Sequence, residues 1–160
     1  EELPAVDHDD ADIAWRRFPL IKPAELIGRL RGYDVLLLLS NFTREHRVLA
    51  ETAQASKMAE YLASGRCILA YGPPYAENVR YLQRHDVGEV VTSGEPGALR
   101  EAVLSLANRP EHRRELGERA YHFGREHRNR AKSRDRLWRA LLDAAGPRPA
   151  GRGRVGKASP

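Results

Sequence analysis

Two runs of the chain are apolar with hardly a polar position between them, and the rest alternates at helical spacing. Val35-Leu36-Leu37-Leu38-Leu39 is apolar throughout, which predicts a central parallel strand covered on both faces. Ile68-Leu69-Ala70-Tyr71 predicts a second strand, stopped by Gly72-Pro73-Pro74. Gly88-Glu89-Val90-Val91-Thr92 predicts a short third one, entered through a glycine turn. Around these, Pro23 at a first-turn position and the stripe Leu26, Ile27 and Leu30 predict a helix ending near Gly32. A loop or broken helix runs to Ala55, and Ser56 as N-cap opens a helix over 56–65. Glu77 to Arg84, Ala98 to Ala107, Glu111 to about His127 and Lys132 to Ala145 complete the helices. Val79 and Leu82 face inward on the first of these four, and Leu99, Val103 and Leu106 form the stripe of the second. Alternation of helix with apolar strand predicts an α/β fold, a Rossmann-like doubly wound parallel sheet with a helical C-terminal tail.

Composition narrows this picture. At 160 residues and 41% hydrophobic content, one core of ordinary size is expected. Residues 1–19, with the acidic cluster Asp7-His8-Asp9-Asp10 and Asp12, read as an irregular segment with no assigned chemistry; 20–145 read as the domain. From Gly146 to Pro160 the chain is too rich in Gly, Pro and Arg to bury a core and reads as a disordered basic tail. No apolar run approaches the roughly 20 residues of a membrane span, and no leader precedes the domain, so a soluble, cytoplasmic chain is expected. Cys67 stands alone inside an apolar strand and reads as a small core residue. His46, His85, His112, His122 and His127 are scattered without ligand spacing, so no metal is expected; Trp15 and Trp138 read as packing residues.

Net charge is +5 with a pI near 9.7, which raises nucleic acid as a partner. Glu111, Glu115, Glu118, Glu126 and Asp135 interleave with the basic residues, the pattern of solvated helix faces. No aromatic residue interleaves with the tail's arginines, so a basic nucleic-acid-binding protein stays a minor alternative. A basic face also suits an anionic membrane surface or a phosphorylated substrate.

The residues with candidate chemistry cluster at 56–64. At about 100° per residue, Lys57, Glu60 and Ser64 share one face, expected to look outward, while Met58, Tyr61, Leu62 and Gly65 pack on the sheet. Free N–H groups at a helix start near Ser56 and Lys57 suit a diphosphate, with the Lys57 ammonium beside it. Glu60, one turn deeper, is placed to accept hydrogen bonds from both hydroxyls of a ribose. By periodicity alone, the same Lys and Glu also make an ordinary exposed pair. Ser40 closes the first strand at the edge where open α/β sheets bind ligands. The turn Gly72-Pro73-Pro74-Tyr75-Ala76-Glu77-Asn78 lies at that edge too, bordering a base or sugar or simply joining strand to helix.

Four stretches carry a family likeness: Tyr33-Asp34-Val35-Leu36-Leu37-Leu38-Leu39-Ser40, Ser56 through Ala70, Val87-Gly88-Glu89-Val90-Val91, and Leu99 to Ala107 with Arg109-Pro110-Glu111. Together they resemble the C-terminal half of GT-B glycosyltransferases, most of all bacterial enzymes of the glycosyltransferase 4 type that build surface polysaccharides. The likeness spans roughly residues 20 to 128, and its most specific piece is Ser56-Lys57-x-x-Glu60-Tyr61-Leu62-Ala63-x-Gly65. It implies a Rossmann-like domain that binds a nucleotide-diphosphate sugar as donor substrate, with no separate cofactor. Glu60 would contact the ribose, Ser56 and Lys57 would join it in donor binding, Lys57 would stabilise the departing diphosphate, and Ser40 is a weaker candidate. The implied activity is hexosyl transfer, by resemblance with retention, to a glycan or lipid-linked acceptor. The implied partners are the N-terminal GT-B domain and, peripherally, the inner face of a membrane. Ala55 stands where many relatives have Pro, and Thr52 where many carry a second Glu. The chain is expected to begin inside the second domain and to be incomplete and inactive alone; a non-catalytic nucleotide-binding module is the other reading.

Overall fold

The computed structural model describes residues 19–128 and 130–146. The acidic cluster near Asp9 and the basic sequence past Gly146 lie outside the described residues. Three strands, β1 (Val35–Leu39), β2 (Cys67–Tyr71) and β3 (Glu89–Val91), form a parallel sheet in the order β1-β2-β3. Val35 pairs with Cys67 and Leu39 with Tyr71, while Leu69 to Tyr71 pair with Glu89 to Val91. Parallel neighbours need crossovers long enough to hold helices, and the chain supplies them. After α1 (Pro23–Leu30) and β1, a 3-10 turn (Arg44–His46), α2 (Arg47–Thr52) and α3 (Met58–Ser64) lead to β2. α4 (Glu77–His85) leads to β3, and α5 (Pro96–Ala107), α6 (Pro110–His127) and α7 (Arg130–Ala145) follow. This is an α/β arrangement of helices around a small three-stranded parallel sheet.

Helices cover both faces of the sheet, and each face has its own core. On one, Leu38, Ile68 and Ala70 meet Ala50 of α2, Met58 and Leu62 of α3, Val79 and Leu82 of α4, and Ala120 of α6. On the other, Cys67, Leu69 and Val91 meet Leu106 of α5 and Leu116 of α6. β2 lies between them, its first four residues all at 1% exposure or less. Burial of that order stabilises by about 1.5 to 3 kcal/mol for each large apolar side chain.

Two expectations need correcting. β1 is an edge strand rather than a central one among the described residues: Leu36 and Leu38 are buried, but Leu37 and Leu39 are exposed at 41% and 66%. The second core gathers on β2 and β3 and reaches only Val35 at the start of β1. On α5, Val103 is exposed, and Ala98, Leu99, Ala102 and Leu106 make the inner face. α3 ends at Gly65 in the left-handed region, φ 71°, where a side chain would add strain and glycine does not.

Candidate functional site

The end of α3 nearest the strand C-termini sets the first half of the site. Met58 and Leu62 are buried and anchor α3 on the sheet, which fixes the direction of the residues between them. The helix begins two residues later than the sequence suggests. Met58 N–H closes a turn onto the Ala55 carbonyl at 3.0 Å, Lys57 takes the N-cap position with helical backbone angles, and no side chain caps it. Ser56 therefore sits in the preceding turn and is not the cap. With seven residues, α3 is also a short helix for a terminal dipole effect.

The expected outward face is likewise revised. Ser64 is buried at 5%; its hydroxyl donates to the Tyr61 carbonyl at 2.6 Å and accepts from Arg66 N–H at 3.2 Å. Lys57 and Glu60 do turn away from the sheet, but toward α1. Ser56, Lys57, Glu60 and Tyr61 line a cleft of about 350 Å³ closed on its far side by Leu26 and Leu30. Glu60 is half-buried, and its Oε2 is enclosed without a hydrogen-bond partner. No salt bridge joins Glu60 to Lys57 among the described residues. The structure thus brings Ser56, Lys57 and Glu60 together beside an unsatisfied acceptor. Leaving such an acceptor buried costs on the order of 1–3 kcal/mol.

Ser40 lines a different cleft, of about 260 Å³, next to the first along the chain: Ala55 lines this one and Ser56 the other. Its position is set by the sheet. Ser40 N–H donates to the Tyr71 carbonyl at 2.9 Å, and a Cβ at Gly72 would stand 2.6 Å from Ser40 Cβ, so only glycine lets the two strand ends close. Asn41, His46, Gln54 and Asn78 supply the other polar groups of this cleft. Asn78, 6% exposed, donates from Nδ2 to Ser40 Oγ at 3.3 Å and accepts the Ala55 N–H at 2.8 Å. Gln54 accepts from Arg128 Nη2 at 2.5 Å, while its own Nε2 is buried without a partner. The two clefts are complementary in kind. One is lined by a carboxylate and an ammonium group, the other by three side-chain amides, an imidazole and a hydroxyl, which suits a ligand with both hydroxyl and anionic oxygen groups.

Sequence reasoning places Asn78 in a segment bordering the ligand edge without giving it a role, and gives Gln54 none. The turn Gly72-Pro73-Pro74 ahead of α4 is the signal that brings Asn78 to this edge. For Gln54 no local signal exists, since its partner Arg128 is 74 residues away. Among the described residues, no group of three or more His, Cys, Asp or Glu is arranged to hold a metal ion, and no helix is long and apolar enough to cross a membrane. Comparison with family models, with curated proteins and with solved structures finds no match to this chain.

Proposed function

We propose that this chain is the donor-binding unit of a glycosyltransferase of the GT-B type, which holds a nucleotide-diphosphate sugar in the cleft between α1 and α3. The observation that carries the reading is that Glu60, whose carboxylate keeps an unpartnered oxygen, lines one cleft with Lys57 a single helical turn away. A ribose offers paired hydroxyl donors to such a carboxylate, and a diphosphate offers charge to the neighbouring ammonium. The segment Ser56 to Gly65 also resembles the donor-binding segment of that family. Ser40 and Ser56 contribute hydroxyls at the edge of the neighbouring cleft and at the turn into α3.

In transfer, the bond between the anomeric carbon and the diphosphate oxygen breaks, an acceptor hydroxyl supplies the new oxygen, and negative charge collects on the departing diphosphate. Lys57 is the cation placed to offset that charge, and the remaining contribution is orientation of the donor. Hydrogen bonds to a charged group contribute about 1.5–3 kcal/mol, so Glu60→Ala is expected to weaken donor binding by about tenfold or more, with Lys57→Ala somewhat less. Calorimetric titration of the full-length protein with UDP-, GDP- and ADP-sugars measures this. If no nucleotide sugar binds, or both variants bind as the parent does, the proposal fails. Release of nucleoside diphosphate in the presence of acceptor separates an enzyme from a module that only binds.

A further inference from the structure

Hydrogen bonding at the end of β1 fixes where two protons sit. Asn41 accepts the Thr43 N–H at its Oδ1, 2.9 Å away, and this turns its Nδ2 toward His46 Nδ1 at 3.3 Å. Thr43 Oγ1 lies 2.9 Å from the same ring nitrogen. A side-chain amide nitrogen only donates, so Nδ1 of His46 accepts and the ring proton is on Nε2. Nε2 makes no hydrogen bond among the described residues. Ser40 follows the same logic. Asn78 receives the Ala55 N–H at Oδ1, so its Nδ2 donates to Ser40 Oγ, and the hydroxyl proton of Ser40 is left over. An imidazole N–H and a hydroxyl thus remain as donors in one cleft, which both residues line.

The rest of the lining says what those donors receive. No Lys, Arg, Asp or Glu lines this cleft among the described residues, whereas its neighbour carries Lys57 and Glu60. Leu39 and Leu49, exposed at 66% and 61%, form part of its wall. A diphosphate is best met by a cation. Neutral donors beside apolar surface match a sugar ring, which offers hydroxyl and ring oxygens as acceptors and its C–H faces to leucine. The order along the chain agrees. Going back from Glu60, the ribose contact, through Lys57, the diphosphate contact, the chain reaches Ala55 and Gln54, which line this cleft. In a nucleotide sugar, the group beyond the diphosphate is the sugar.

We propose that His46, donating from Nε2, and Ser40, donating from Oγ, hold the sugar of the donor, with Leu39 and Leu49 against its ring and with Asn41 and Thr43 as the positioning residues that keep the imidazole in this tautomer. The proposal rests on the donor-binding reading above and adds to it the place of the sugar. Calorimetric titration with UDP-glucose, GDP-mannose and ADP-glucose, each against its parent diphosphate UDP, GDP or ADP, tests it. His46→Phe keeps a ring and removes the donor, so it should weaken binding of the nucleotide sugar by about fivefold while leaving the diphosphate's affinity unchanged. Ser40→Ala should act in the same direction by a similar factor. His46 is exposed, so thermal melting of His46→Phe should match the parent's, which separates lost contact from lost folding. In the free protein, heteronuclear NMR of the imidazole should show an unprotonated Nδ1 and a protonated Nε2. A protonated Nδ1 overturns the proposal. So does a parent for which the sugar adds nothing to the diphosphate's affinity, or a His46→Phe variant that binds both ligands as the parent does or loses both alike; the donor-binding reading survives each of these. If neither nucleotide sugars nor diphosphates bind the parent, both fall.

Discussion

β1 and β2 are adjacent parallel strands of five residues, each close to wholly apolar. β2 is sealed on both faces, whereas Leu37 and Leu39 of β1 stand exposed. The difference does not lie in the residues. β2 has strands on both sides, α3 and α4 over one face and α5 with α6 over the other. β1 has a strand on one side among the described residues, and the second core gathers away from it. An apolar run thus specifies that a strand forms, while its neighbours decide how much of it is buried.

The largest test of that contrast is Ile68→Ala in β2. Ile68 is fully buried, and such truncations cost about 2–5 kcal/mol, to be read from urea unfolding with an unchanged m-value. Cys67 gives a second, pH-dependent contrast. Burial, reinforced by Glu89 and opposed by Arg113, raises its thiol from 9.0 to about 11. The unfolded chain then releases its proton first as pH rises, so stability should fall between about pH 9 and 11. Cys67→Ala should abolish that part of the fall while leaving the stability profile below pH 9 parallel to the parent's. The smallest effect belongs to β1's open face. Leu39→Ser should change stability by no more than about 0.5 kcal/mol, and a loss as large as that of Ile68→Ala would show that this face is covered after all.

The strands were legible because each apolar run is bounded by residues that end it, as Gly72-Pro73-Pro74 ends β2, and because Pro23, Pro96 and Pro110 stand at helix starts. Val79, Leu82 and Leu106 were legible as core from spacing alone. Coverage of β1 was not, since it depends on where α5 lies. Ser64 misled because a serine can satisfy its hydroxyl on its own helix, so a polar letter marks a position that burial tolerates. Ser56 misled because the turn closed by Met58 N–H and the Ala55 carbonyl takes up the residues that a cap would occupy. In the candidate site, Lys57 and Glu60 were readable from local sequence. Their cleft was not, because Leu26 and Leu30 come from a helix on the far side of β1 in the chain. Asn78 acquires its role only through contacts to residues 23 and 38 positions away.

That amide has a consequence of another kind. Asn78 joins the hydroxyl at the end of β1 to the backbone at the entry to α3 with two hydrogen bonds from one buried side chain. Its carboxamide cannot swing to release one without disturbing the other. The amide hydrogen of Ala55 is therefore a natural clock for this corner of the molecule: its exchange with solvent reports, at one position, how often the entry to α3 comes away from the start of α4.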